Sequence, residues 1–308
     1  MEQIDDQFSG QTSPADDGAL EVAFGPDVDA DFLFKKPSAF EDHLFVDPKD
    51  VSGRKPQSFP RVEFIGLKFH KAGFETLLET LLATVGSAQF QYVVTPNVDH
   101  VVTITRSESG SDIRQAYDEA DFMVCDSRIL SRMCKHSAID LEPVPGSDIT
   151  RELLARLPHG KTISVIGGKP DSQERLRAMY PQFEWAFMTP PMGVRHSVEH
   201  QEAICDFVAA AGSDVTFVAI GAPQSEIVCR KLKARGDGRG LALCIGASLE
   251  FITGEKRRAP KWVQKAHGEW LFRLLCEPHR LAHRYLVKGP KIFLEWYRWD
   301  KARIAPAA

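Results

Sequence analysis

Hydrophobic and polar positions change rhythm once along this chain, near Arg61. Residues 1–58 run through Gly, Ser, Pro and Asp with no sustained apolar period, which predicts an extension without a core of its own. From Arg61 onward, short apolar runs alternate with stretches of helical spacing. "RVEFIGLKF" (61–69), "FQYVVTP" (90–96), "DFMVC" (121–125), "KTISVIGG" (161–168), "DVTFVAIGAP" (214–223) and "LALCIGAS" (241–248) predict strands. "AGFETLLETLLATV" (72–85), "VDHVVTITRS" (98–107), "SDIRQAYDEA" (111–120), "RILSRMCK" (128–135), "GSDITRELLARL" (146–157), "DSQERLRAMY" (171–180) and "QSEIVCRKLKAR" (224–235) predict helices. Ser147 and Asp148 stand where a helix cap is wanted.

Strands that alternate with helices build a parallel sheet covered on both faces. The expected fold class is therefore α/β over residues 59–254: a Rossmann-like, mostly parallel sheet with helices on both faces. In such sheets ligands bind beyond the carboxyl ends of the strands. The residues just past those ends are Thr95, Asn97 and Asp99; Asp126; Gly167 and Gly168; Gly221, Gln224 and Glu226; and Gly246, Ser248 and Glu250. Plainer uses exist for several of them. Thr95, Asn97 or Asp126 could simply cap the next helix, and the glycines could serve only the turn. His100, just beyond, reads first as a packing residue. G-x-G-x-x-G and G-x-x-x-x-G-K-[ST] spacings are absent, which counts against hydride chemistry and NTP hydrolysis. The set favours a nucleoside diphosphate held by backbone N–H groups at helix N-termini, with a carboxylate available for proton transfer.

Charge sharpens this picture. The net charge of −4 over 308 residues hides a polarised chain: 13 acidic against 5 basic side chains over residues 1–60, and 13 basic against 5 acidic over 254–308. The C-terminal end is built to meet something negative. Residues 255–308 read as a basic, aromatic, helical appendage. In "EWLFRLLCEPHRLAHRY" (269–285), Arg273, Arg280 and Arg284 recur at helical spacing beside Trp270 and Phe272, although Pro278 predicts two short helices rather than one. Arginine suits a diphosphate because its fork makes paired hydrogen bonds to phosphate. A diphosphate leaving group whose charge grows as a glycosidic bond breaks needs such donors when no metal supplies the charge.

The remaining totals set the context. Six scattered cysteines, without C-x-x-C or metal-ligand spacing, predict reduced core thiols in a cytoplasmic protein. The first residues carry no basic stretch followed by an apolar core, so no signal peptide is expected. No apolar run approaches the roughly 20 residues of a membrane span, so membrane contact is expected to be peripheral. Aromatic residues Trp262, Trp270, Phe293, Trp296, Tyr297 and Trp299 interleave with Lys256, Arg257, Arg258, Lys261, Lys265, Lys288, Lys291, Arg298 and Lys301. That mixture suits the boundary between acidic headgroups and acyl chains, or else a helix packed on its own sheet with solvated lysines. Asp29 and Asp31 imitate the D-x-D of metal-dependent sugar transferases, but nothing around them supplies a rigid strand end.

Seven segments occur together in a telling order: "VVTPNVDHVV", "ADFMVCDS", "VPGSD", "SVIGGKP", "VAIGAPQSE", "CIGASLEFITGEKRRAPKW" and "GEWLFRLLCEPHRLAHRYL". They resemble the WecG/TagA/CpsF glycosyltransferases, glycosyltransferase family 26, over about residues 61–295. The resemblance implies an inverting, metal-independent transferase without a cofactor. Its donor would be a UDP-sugar and its acceptor a polyprenyl-diphosphate-linked saccharide of bacterial polysaccharide assembly, met at the cytoplasmic face of the inner membrane. It places the general base on Asp126, the neighbouring active-site threonine on Thr95, the nucleotide-contacting acid on Glu250 and the appendage arginines on Arg273 and Arg280. A third basic position falls on His283, with Arg284 adjacent.

Three turns depart from the family's pattern. "PDG" is Cys125-Asp126-Ser127, "PKQE" is Pro223-Gln224-Ser225-Glu226, and "GGSFD" is Gly246-Ala247-Ser248-Leu249-Glu250. These positions surround the expected donor, so its sugar need not be N-acetylmannosamine or its uronic acid; glucose and glucuronic acid fit the same pattern. Two rival classes follow from the same residues. One is a non-catalytic nucleotide-sugar-binding accessory protein of a polysaccharide assembly, which the retained Asp126 opposes. The other is a single-stranded nucleic-acid binder using the basic aromatic tail, which would need no strand-end carboxylate; no nucleic-acid partner is expected.

Overall fold

The computed structural model describes residues 57–256, 259–260, 263 and 268–304. The acidic extension up to position 56, with its Asp29 and Asp31, lies outside the described residues. So do Arg257, Arg258, Lys261, Trp262 and Lys265 of the tail.

The first predicted strand is two. β1 (Arg61–Phe64) and β2 (Leu67–His70) form an antiparallel hairpin in which Phe64 faces Leu67. Ile65 at φ 50° and Gly66 at φ 70° make the turn. A two-residue loop with both residues at positive φ matches the twist of its strands, but isoleucine is not a residue that announces such a turn.

A second sheet holds six strands: β3 (Gln91–Val94), β4 (Phe122–Met123), β5 (Thr162–Ile166), β6 (Glu184–Met188), β7 (Val215–Val218) and β8 (Leu241–Cys244). Their order is β4-β3-β8-β7-β5-β6, and every pairing is parallel. All therefore present their carboxyl ends at one edge. β6 has no counterpart among the strands predicted above. It is an edge strand whose apolar side chains are only half-buried, so its run lacks the density of the inner strands.

Strand alternation feeds two cores, because successive side chains point to opposite faces. Tyr92, Val94, Ile166, Val218, Ala242 and Cys244 pack on one face, against α2 (Val98–Thr105), α4 (Arg128–His136), α7 (Val198–Ala211) and α8 (Gln224–Arg235). Val93, Val165, Phe217 and Leu243 pack on the other, against α1 (Phe74–Thr84), α5 (Gly146–Arg156), α6 (Pro170–Met179) and α9 (Ser248–Ile252). A further helix, α3 (Asp112–Asp118), sits beside α8. α7 is also absent from the predicted helices. Its buried stripe starts at Gln201, whose amide donates to the Val194 carbonyl at 2.9 Å, so one apolar position is polar in sequence. α5 corrects the expected cap. The helix starts at Gly146 behind Pro145 with no side-chain cap, and Asp148 lies inside the first turn, 3.3 Å from Arg151. Cys125, Cys134, Cys205, Cys229 and Cys244 are buried free thiols, and Cys276 is exposed.

The hairpin docks on β4, where the Met123 N–H donates to His70 Nδ1 at 2.9 Å. Burial, with the Arg61 charge nearby, lowers His70 to about 4, so the ring stays neutral and keeps the lone pair this bond uses.

Pro278 divides the appendage as its sequence requires. α10 (Glu269–Cys276) and α11 (Pro278–Ala282) are followed by a π-helical turn, His283–Lys288, and by α12 (Lys291–Ile304). α12 is anchored to the core. Ile292 is buried, the Trp296 indole donates to Ser137 Oγ at 2.9 Å, and the Trp299 ring meets Phe64 edge-on at 5.2 Å. Trp296 and Trp299 thus follow the packed reading of the tail, while Phe293 and Tyr297 are 53% and 60% exposed. Trp299→Ala is expected to cost about 3 kcal/mol through lost packing, and Phe293→Ala under about 0.5 kcal/mol as a surface change. Urea denaturation of both variants checks this; equal costs would mean that α12 is not docked as described.

Candidate active site

The first wall of the site is built by two strand-end loops sewn together. After β4, the Val124 N–H donates to the Val94 carbonyl (3.1 Å) and the Asp126 N–H to the Pro96 carbonyl (3.1 Å). The Cys125 carbonyl accepts from the Val144 N–H at 2.7 Å, which pulls in the segment leading to α5. Gly146 is needed there, because a Cβ at that position would lie 2.9 Å from Thr95 Oγ1. Thr95, Asp126 and the start of α5 therefore form one joint. Thr95 is buried in it. Asn97 caps α2, with Oδ1 accepting from the Asp99 N–H (3.1 Å) and the His100 N–H (3.4 Å). Ser127, not Asp126, caps α4.

The second wall lies at β5, β7 and β8. β5 continues toward β6 on one side of the sheet, while β7 continues toward β8 on the other, so the chain reverses direction between these neighbours. Such a switch point opens a crevice by construction. A narrow cleft sits there, lined by Gly168, Ser172, Gln173, Ala219, Gly246 and Glu250 among others. Gly167, at φ 102°, donates its N–H to the Met188 carbonyl at 2.8 Å, and a Cβ would press on the Ala219 carbonyl at 3.0 Å. Only glycine combines that φ with that approach. Gly221 accepts from the N–H and the hydroxyl of Ser225, both at 3.0 Å, and the Gln224 amide folds back on the Ile220 carbonyl. These two residues shape the turn and are tied into it.

The third wall comes from the appendage. Lys256 pairs with Glu250 and lies 3.8 Å from Glu277, which in turn pairs with Arg280. The Arg273 guanidinium sits over the Phe251 ring, 4.9 Å from its centre. Arg280 above all, then Lys256 and Arg273, hold the Glu277 carboxyl below its usual range. Arg284 goes elsewhere: Nη2 donates to Asn97 Oδ1 at 3.3 Å and Nε pairs with Asp99 at 3.2 Å. The three arginines thus have different partners, across the break that Pro278 predicts: Arg280 pairs with Glu277, Arg273 lies over Phe251 next to the cleft residue Glu250, and Arg284 joins the first wall. His283 is exposed. Lys256, grouped above with the tail's interleaved basic residues, pairs instead with Glu250. Its sequence clue was weak: one lysine in a basic run, two residues past the turn after α9. Glu277 had a clearer one, an acid directly before a helix-breaking proline. Among the described residues, no group of three or more His, Cys, Asp or Glu side chains is placed to hold a metal ion.

One comparison settles the class. The model of the glycosyl transferase WecG/TagA/CpsF family matches residues 62–305. The chain belongs to that family. The family's activity is glycosyl transfer in cell-surface polysaccharide synthesis. The match takes in both the sheet and the appendage and leaves the acidic extension outside.

Behind the walls of this glycosyltransferase lies a buried polar set that the strand-end rule only half exposes. Glu226, in the first turn of α8, is 2% exposed and shares a hydrogen bond with the Tyr117 hydroxyl. Tyr117 faces the His100 ring at 6.4 Å. Burial, then the Arg284 charge, lowers His100 to about 3, so it is neutral. Burial raises Glu226 to about 7. From about pH 4.5 to 7 the folded chain keeps a proton on Glu226 that the unfolded chain loses, so this group costs stability as pH rises through that window. Glu226→Gln removes the dependence. Relative to wild type, the variant should gain up to about 3 kcal/mol between pH 4.5 and 8. Urea midpoints at both pH values test it; an unchanged difference would mean that Glu226 is not desolvated.

Proposed function

We propose that this glycosyltransferase moves a sugar from a UDP-sugar to a polyprenyl-diphosphate-linked saccharide, with inversion and without a metal. The observation that carries the proposal is the third wall: Lys256 pairs with Glu250 of a strand-end cleft at the sheet's switch point, and Glu277 links it to Arg280 of the appendage. A donor's nucleotide would lie in the cleft, against Gly167, Gly168 and Glu250. Its diphosphate would face Arg273 and Arg280, where paired N–H donors neutralise charge as it develops. The acceptor would enter beside Asp126 and Thr95.

In a single displacement, the acceptor hydroxyl oxygen bonds to the anomeric carbon while the bond from that carbon to the UDP oxygen breaks. The hydroxyl proton passes to Asp126, and the bonding electrons leave with UDP. Thr95 orients a partner in this step, and Asn97 with Arg284 holds the wall that carries it. Asp126→Asn is expected to lower kcat by about 10²- to 10⁴-fold and to leave UDP affinity within about threefold, because the carboxylate acts on the acceptor. UDP release from a panel of UDP-sugars with a lipid-linked acceptor, beside calorimetric UDP titration, measures both; a fully active variant would remove Asp126 from the role.

We further infer that the appendage docks on the bacterial inner membrane at its cytoplasmic face. No helix among the described residues is long and apolar enough to cross a membrane. Support comes from the apolar side chains left exposed there: Trp270, Leu275, Leu286, Phe293 and Tyr297. Leu275→Glu with Phe293→Glu should reduce sedimentation with anionic vesicles several-fold and leave UDP affinity unchanged; unaltered sedimentation would place the contact elsewhere.

A further inference from the structure

Lys256 stands between two carboxylates that belong to different parts of the chain. Its backbone N–H donates to the Glu250 carbonyl at 2.9 Å, which fixes its position against the end of α9. Its ammonium pairs closely with the Glu250 carboxylate and more loosely, at 3.8 Å, with Glu277. Glu250 lines the cleft, and Glu277 sits at the junction of α10 and α11, bound to Arg280. The three side chains are 27%, 35% and 31% exposed, so they can exchange partners without disturbing the core. Glu277 thus engages the arginine assigned above to the donor's diphosphate and also approaches Lys256.

We propose that Lys256 is a further phosphate-binding residue of the donor site and that Glu277 is its counter-charge. On this assignment, which rests on the donor reading above, Glu277 keeps Lys256 and Arg280 turned toward the cleft and yields them to the incoming diphosphate. The exchange is favourable because a diphosphate carries more charge and more acceptor oxygens than one carboxylate. An ammonium on a flexible stem suits this transfer, since it acts as a point charge with rotatable donors. Glu277 also sets the affinity: its charge competes with the diphosphate and keeps UDP from being held too tightly after transfer.

Calorimetric titration of the full-length enzyme with UDP and with UMP tests the assignment. Lys256→Met should weaken UDP by about tenfold or more, the loss expected for one charge-assisted hydrogen bond, and UMP by less than about threefold. Lys256→Arg, which keeps the charge, should retain UDP affinity. Glu277→Gln keeps the shape and removes the charge, and should tighten UDP by about threefold or more. UDP bound equally by Lys256→Met and wild type would overturn the role of Lys256. Weakened or unchanged UDP binding by Glu277→Gln would overturn the counter-charge and leave Glu277 as a scaffold for Arg280. A wild-type enzyme that takes up no UDP would overturn the donor reading itself, an outcome distinct from both.

Discussion

The Arg284 guanidinium bonds Asn97 and pairs with Asp99, so the appendage is tied to the helix end that closes β3. Trp296 and Trp299 do the same from α12 with apolar contact and one indole hydrogen bond. Ahead of these anchors lie α10 and α11, and at their junction Glu277 pairs with Arg280 and comes within 3.8 Å of Lys256, the partner of Glu250 at the cleft. Tertiary packing thus holds a segment far along the chain against strand-end loops much earlier in it.

Electrostatics around that cleft is mixed on purpose. Glu250 and Glu277 interleave with Lys256, Arg273 and Arg280, so the cations do not simply repel one another and unfold the appendage. Deeper in, burial keeps Tyr117 and His100 neutral and favours the protonated form of Glu226. Field strength is thus concentrated at the mouth, where water still screens it and a charged substrate can compete for it.

Much of this was legible in the residues. Apolar runs bounded by small and polar residues marked five of the six parallel strands, and the strand-end rule then pointed to Thr95, Asp126, Gly168 and Glu250. Pro278 correctly forecast the break in the appendage. What stayed hidden shares a physical cause: it depends on partners distant in sequence. Nothing local says that Ile65 will adopt positive φ, that buried Gln201 continues an apolar stripe, or that Lys256 faces inward while its basic neighbours drew the same interpretation. Arginine spacing could not show by itself that Arg284 would pair with Asp99 while Arg280 pairs with Glu277.

The hairpin has an effect beyond fold assembly. An open parallel sheet ends in two strands whose outer backbone groups invite another chain to pair, a hazard for any protein concentrated on a surface. β4 answers it by being two residues long and by lending its Met123 N–H to a neutral histidine of β2. At the opposite margin, β6 runs into Thr189 and then Pro190 and Pro191, which supply no amide hydrogens for continued pairing. Both margins are blunted by local chemistry, which discourages pairing of one molecule's sheet with the next.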